Sequence, residues 1–217
     1  MTRKGLYFLR RVKRFLRQNI SVHSAKVYFR KSNLNGLPPL PDISPLFVKE
    51  MSLDNELHIR EWLNIMNQAF PGHWQKQNYV DSITNHKFYD VLHTYFLMDG
   101  EKYVGVVSEA VFRRNPEVGV THYLGLDTNY SGRGLGKYLI LYVLHKMKSR
   151  VDINSCEGET TLNYRISLFI HFDFGFCPKM KADYWNTPNT ASILMKALAN
   201  YKLNFLYKKR LQKRQSC

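Results

Sequence analysis

A chain of 217 residues can bury the core of one ordinary domain and still carry extensions at its ends. Its 44% hydrophobic and 14% aromatic content excludes a globally disordered protein, and no run approaches the roughly 18 apolar residues of a membrane span. The net charge of +15 is confined to the ends: residues 1–41 hold ten Lys and Arg, residues 196–217 hold seven, and neither segment has an acid. The middle, residues 42–195, carries 15 basic against 17 acidic residues. Basicity therefore belongs to the tails and not to the domain, which weakens the nucleic-acid reading of a high isoelectric point.

Three cysteines, Cys156, Cys177 and Cys217, form no CxxC pair. An odd count without ligand spacing argues against a disulfide framework or a zinc site, and for a reducing, cytoplasmic setting. Near the N-terminus the longest apolar run is Leu6–Leu9, shorter than a secretory core; an Arg-rich, acid-free start is also the composition of an organellar transit peptide.

In chain order, residues 3–18 read as a basic helix with Leu6, Leu9 and Leu16 near one face. Gly36 through Pro41 hold three prolines and a glycine and mark a linker. The expected organisation is a basic helical extension at 1–35, a linker at 36–42, a domain at 43–190 and a basic C-terminal helix at 191–217. A first strand is predicted over Leu46–Met51. A helix follows from Asp54 or Asn55 to Phe70, with Leu57, Trp62, Ile65, Met66 and Ala69 inward, and a second helix spans Gln75–Phe88. Strands are predicted at His93–Met98 and Tyr103–Phe112, joined at Asp99-Gly100. Asn115-Pro116 reads as a turn before a strand over Glu117–Leu126. A glycine-rich loop then opens a helix over Leu135–Arg150. A strand at Glu159–Leu162, a helix at Tyr164–Phe174 capped by Gly175, a strand at Met180–Trp185 and a closing helix at Ala191–Lys209 complete the order.

The informative stretch is Tyr123 through Lys137. An apolar strand ends, a polar turn follows, and Ser131-Gly132-Arg133-Gly134-Leu135-Gly136 leads into a helix. Glycines allow positive φ and close backbone approach, and unpaired N–H groups at the helix start converge on one point. Such a nest binds phosphate or pyrophosphate, and Arg133 and Lys137 add positive charge. A P-loop is excluded, because the first glycine would fall on Ser131 and Tyr138 follows Lys137. A dinucleotide fingerprint is excluded as well: from Gly132 its last glycine falls on Lys137, and from Gly134 on Leu139.

This stretch resembles the GNAT superfamily of acyl-CoA-dependent N-acyltransferases, whose signature is Arg/Gln-x-x-Gly-x-Gly/Ala after a strand. Both signature glycines are present, with Ser131 at the position of Arg or Gln. The family's aromatic-x-x-x-Gly-Phe ending is matched by His171-Phe172-Asp173-Phe174-Gly175-Phe176, and the order of elements from Leu46 to Trp185 follows the family. The resemblance implies an α+β fold with a mixed, mostly antiparallel central sheet flanked by helices. It implies acetyl-CoA as acyl donor without a metal, and direct attack on the thioester by an amine-bearing acceptor. Leu124 and Leu126 would offer backbone groups to the pantetheine and thioester. The amides of Arg133, Gly134, Leu135, Gly136 and Lys137 would hold the pyrophosphate, next to Ser131 and Gly132, and Tyr164 aligns with a CoA-contacting Asn.

His171 stands where the family's thiolate-protonating Tyr usually stands. Base candidates are Glu109, Glu117, His122 and Tyr123. Strand alternation puts Glu109 beside Val107 and Val111, as a partly buried carboxylate or one on a solvated rim. His122 reads either as a base or as a sheet-surface histidine. The alternative function is a non-catalytic CoA-binding or peripheral membrane-associated protein on the same fold. The basic tails are expected to be solvated helices or attachments to an anionic membrane surface. Nucleic acid is the lesser expectation, because no base-reading motif is present.

Overall fold

The computed structural model describes residues 26–70, 72–162, 164–183 and 189–215. The basic helix expected at 3–18, and Pro71, Trp185 and Cys217, lie outside them. The chain divides into two compact units. The larger comprises Arg30–Gly158 and Asp173–Phe176; the smaller takes in Glu159–Phe172, Cys177–Cys217 and the chain up to Phe29.

In the larger unit the strand order is β2-β3-β4-β5-β6, with β2 (Phe47–Glu50), β3 (Tyr89–Asp99), β4 (Lys102–Phe112), β5 (Asn115–Leu126) and β6 (Ser155–Thr161). β2 through β5 pair antiparallel, and β5 pairs parallel with β6. The expected mixed, mostly antiparallel sheet flanked by helices is therefore present. Helix α1 (Glu56–Ala69) is started by Asn55, whose side chain accepts from His58 N at 3.1 Å, and Glu56 sits favourably in its first turn. Its inner face is His58, Ile59, Trp62, Ile65 and Met66, packed with Phe96, Met98 and Val106 of the sheet. Leu57, expected inward, is 44% exposed.

The predicted second helix is cut short. Only Lys76–Tyr79 (α2) is α-helical, and a π-helical turn, Val80–Thr84, follows. His86 Nδ1 then accepts from the backbone of Phe88 and Tyr89, at 3.3 and 3.1 Å, and holds the chain out of helix. The β3–β4 hairpin turns at Gly100-Glu101, with Gly100 at φ +56°. The β4–β5 turn falls at Arg113-Arg114, because Phe112 already pairs with Asn115. Asn115-Pro116 begins the strand instead of turning the chain, a place where proline is tolerated.

Helix α3 (Leu135–Lys148) lies on the other face of the sheet and buries Leu139, Ile140, Val143, Leu144 and Met147. Its approach needs Gly119, where an added Cβ would stand 2.7 Å from Met147 Sδ and 3.1 Å from Ile153 Cγ2.

The smaller unit holds most of β1 (Lys26–Lys31), which neighbours β7 (Cys177–Asp183), and the helices α4 (Arg165–Asp173) and α5 (Asn189–Gln215). A strand at 26–31 departs from the helical extension expected over 1–35. Val27 and Phe29 are fully buried in the strand's alternation, a period hidden by the charges around them. Phe29 packs on His171 and Phe172, and Phe172 packs on Tyr207 of α5.

Candidate active site

Two local features of β5 set the site. Its parallel pairing with β6 covers Val118–Thr121 against Ser155–Gly158 and stops there, although β5 runs on to Leu126. On its other edge the register passes from Ser108↔His122 to Val106↔Gly125, so β5 gains one residue on β4. This is a β-bulge, and its marker is Tyr123 at φ +38°, a conformation that non-glycine residues rarely adopt. A bulge bends its strand and raises the local twist. Helix α1 crosses closely beyond the bulge, since a Cβ on Gly125 would sit 3.1 Å from Ile65 Cγ2 and 3.2 Å from Met66 Sδ.

The bulge puts two consecutive side chains on the α1 face. His122 Nε2 lies 3.3 Å from Ser82 O, and Tyr123 OH donates to Ser82 Oγ at 2.9 Å. A carbonyl only accepts, so Nε2–H is the donor in the contact with Ser82. Around His122 stand His86 and Tyr89, with ring centroids at 5.3 and 5.0 Å, and His86 stacks on Tyr89 at 4.4 Å. Tyr123 continues the aromatic wall to Trp62 and Trp74, at 5.7 and 5.6 Å. Ser82, His86 and Tyr89 were not among the sequence candidates. Their placement depends on the π-helical turn, which no local sequence signal marks.

Past Leu126 the chain forms a tight anchored loop. Asp127 accepts from Asn129 N at 2.9 Å and pairs with Lys102 at 2.9 Å, so its carboxyl is held below the ordinary range, chiefly by the hydrogen bond from Lys102. Tyr130 OH donates to Asp99 at 2.7 Å, and Lys102 and Arg133 each lie 5.0 Å from its ring centroid. Gly132 and Gly134 follow at φ +77° and +79°, and a Cβ on either would meet nothing within 4 Å. They are there for conformation and open approach, not for packing. Gly134 is the N-cap of α3, and no side chain caps the helix. The amides of Leu135, Gly136 and Lys137 thus open a 14-residue helix whose dipole favours an anion. Ser131 is exposed and opens this loop. Arg133 donates to Asn129 O at 3.1 Å, whereas the Lys137 ammonium turns toward Asp173 at 3.5 Å and lies over Phe174.

The remaining candidates are placed elsewhere. Glu109 pairs in register with Thr121 and His93, on the face covered by α3, opposite His122. It is only 2% exposed, so the solvated-rim alternative does not hold. Tyr95 OH donates to its Oε1 at 3.3 Å, His93 Nε2 is 3.9 Å away, and Oε2 has no hydrogen-bond partner among the described residues. Burial raises its pKa against the opposing pull of His93.

In the smaller unit His171 is 3% exposed, and its Nδ1–H donates to Ser167 O at 2.7 Å. Burial pushes its pKa down to about 4, so at neutral pH it has no imidazolium proton to give. Its burial and this shift speak against the proton-donor role expected for His171. Tyr164 stands half-buried just before α4, where its backbone accepts from Leu168 N at 3.2 Å.

Known proteins resemble this chain in fold and, over part of it, in sequence. Mycothiol acetyltransferase of Corynebacterium glutamicum is 33% identical over 96 residues, which cover 41% of this chain and 31% of that protein. The chain thus spans about a third of the length of that curated relative. Among solved structures, the ribosomal-protein-S18-alanine N-acetyltransferase from Escherichia coli matches with a TM-score of 0.51 at 15% identity, over 68% of this chain and 86% of that one. A GCN5-related N-acetyltransferase from Sphaerobacter thermophilus matches with a TM-score of 0.53 at 13% identity, over 77% and 53%. These likenesses are likenesses of fold. The acetyltransferase (GNAT) family model matches residues 59–176, more than half of the chain, and the chain belongs to that family.

Proposed function

We propose that this protein is an N-acyltransferase that moves an acetyl group from acetyl-CoA to a primary amine by direct attack. The observation that carries the reading is the uncapped first turn of α3, reached through Gly132 and Gly134 at positive φ with open space at both. The amides of Arg133 through Lys137 hold the pyrophosphate, and Arg133, braced on Tyr130 and Asn129, adds charge beside it. The backbone of Leu124 and Leu126 lines the donor beyond the bulge, where β5 has left its parallel partner.

The acceptor amine approaches on the α1 face. Its nitrogen lone pair attacks the thioester carbon, and a C–N bond forms as the carbonyl oxygen takes the negative charge. The C–S bond then breaks, with the electron pair leaving on sulfur. His122 accepts the proton that the amine must lose. Backbone N–H groups near the bulge stabilise the oxyanion, each worth about 3 kcal/mol. Glu109, on the opposite face, takes no part in this step.

The test is thermal unfolding with acetyl-CoA, free CoA and a longer acyl-CoA, followed by turnover with a panel of amines. Ligand at a hundredfold over its dissociation constant stabilises by about 2.7 kcal/mol, a shift of several degrees. That shift should vanish in Gly134→Asp. No shift with any CoA species would sink the proposal, and a shift without turnover of any amine would leave a CoA-binding protein.

A further inference from the structure

Helix α5 presents an outer stripe that its own unit does not explain. Among its described side chains, Ala199, Leu203 and Leu206 are buried. The inner side is also fastened by polar and aromatic contacts: Tyr207 packs on Phe172, Arg210 lies over Phe169, and Arg214 donates to Phe172 O. The opposite face runs Ala197, Tyr201, Phe205, Lys208 and Gln212, all exposed and spaced by four, four, three and four residues. That spacing draws one straight line along a helix. Tyr201 is 73% exposed and Phe205 55%, so two aromatic rings one turn apart face solvent. Lys208 on this line and Lys209 beside it are exposed, and the helix carries seven Lys and Arg with no acid. The basic character continues onto α4, where Arg165 is near enough to disfavour the Lys202 ammonium, after burial as the larger cause. Ile166, beside Arg165, is exposed too.

An ordinary solvated helix face carries mixed charge and few large apolar groups. This one joins rings and lysines in one stripe. We propose that the outer face of α5 lies on an anionic lipid surface. Tyr201 and Phe205 would enter the headgroup boundary, where amphipathic rings are favoured, and Lys208 and Lys209 would reach the lipid phosphates. No helix among the described residues is long and apolar enough to cross a membrane, so α5 lies along the surface. A nucleic acid would meet the same charges and its bases would stack on the two rings, but a single convex helix face provides no groove to follow a strand.

The full chain is sedimented with vesicles of phosphatidylcholine alone or with added phosphatidylserine, at low and high salt. Binding is expected only with phosphatidylserine, and it should weaken with salt. Lys208→Gln/Lys209→Gln should bind about thirtyfold more weakly. Tyr201→Ser/Phe205→Ser should bind about tenfold more weakly at low salt, where charge is least screened. Unfolding temperatures matched to the parent keep both results interpretable, since all four side chains point outward. Binding unaffected by either double variant would place the contact elsewhere and overturn the proposal. So would the absence of binding to phosphatidylserine, or binding of a single-stranded oligonucleotide through the same lysines and rings that is tighter than binding to the vesicles.

Discussion

His122 and Tyr123 are neighbours in a β-strand, yet their rings lie on the same face of the sheet, 4.1 Å apart and both touching Ser82. Regular alternation would send them to opposite faces. The bulge removes the alternation where β5 parts from β6, and so gathers an imidazole, a phenol and the His86–Tyr89 stack around one point. If His122 is the base there, His122→Ala should lower kcat by a hundredfold or more while acetyl-CoA binding stays unchanged. The acidic limb of the pH–rate profile should be lost with it. Measuring kcat against pH alongside the dissociation constant for CoA checks this, and an unchanged kcat would return His122 to a packing role.

Gly134 and Gly119 separate two uses of glycine. Gly134 has φ +79° and empty space where a side chain would be. Gly134→Ala should cost about 1–2 kcal/mol of backbone strain and, by shifting the first turn of α3, weaken CoA binding. Gly119 has no positive φ but stands against the fully buried Met147. Gly119→Ala should destabilise by about 1–3 kcal/mol through overpacking and leave the ligand-induced shift in unfolding temperature intact. Paired melts with and without acetyl-CoA read both effects.

What the sequence made legible was what short-range chemistry marks. Gly132 and Gly134 punctuate the chain between a strand and a helix, Asn55 caps α1, and Gly175 takes the positive φ after α4 as expected. The bulge leaves no such mark, because Tyr123 carries no glycine signal; tertiary packing imposes its positive φ. The His86 cluster is hidden because an amphipathic pattern over residues 75–88 reads as one helix, whereas the backbone breaks at Asn85. Strand β1 is hidden because its alternation, with Val27 and Phe29 inward, sits in a segment dominated by positive charge. Glu109 and His122 illustrate the residual gap: pattern nominated both, and only the register places them on opposite faces.

Glu109 makes a prediction about stability instead of rate. Its folded pKa is raised by burial, so between the unfolded and folded values the native state binds more protons than the unfolded state. Stability from this group is present below the unfolded carboxyl range and is lost as pH rises through the folded value. One carboxylate oxygen lacks a hydrogen-bond partner among the described residues, a defect that costs on the order of 1–3 kcal/mol when the group is charged and buried. Glu109→Gln should therefore melt higher than the parent at pH 8 and lose most of that advantage at pH 4. Turnover should be little changed. Melting curves across this range test the assignment, and a variant less stable at pH 8 would show that the charge is compensated.

His171 gives the opposite pH signature in the smaller unit. Its ring is packed 4.3 Å from Phe29 and is neutral in the folded protein, with its pKa pushed down to about 4 by burial from an ordinary 6.5. The unfolded chain takes up the proton first, so stability from this group is fully present above pH 6.5 and is lost as pH falls toward 4. Each tenfold difference in proton affinity between the two states is worth about 1.4 kcal/mol, so the loss is on the order of 3 kcal/mol. His171→Leu, which keeps an apolar group of similar size against Phe29, should give up the hydrogen bond to Ser167 O and start slightly less stable at pH 8. It should then decline less steeply between pH 6.5 and 4 than the parent, so the two melting curves converge or cross. Parallel curves would mean that the imidazole is protonated in the folded state, and a proton-donating role for His171 would have to be reconsidered.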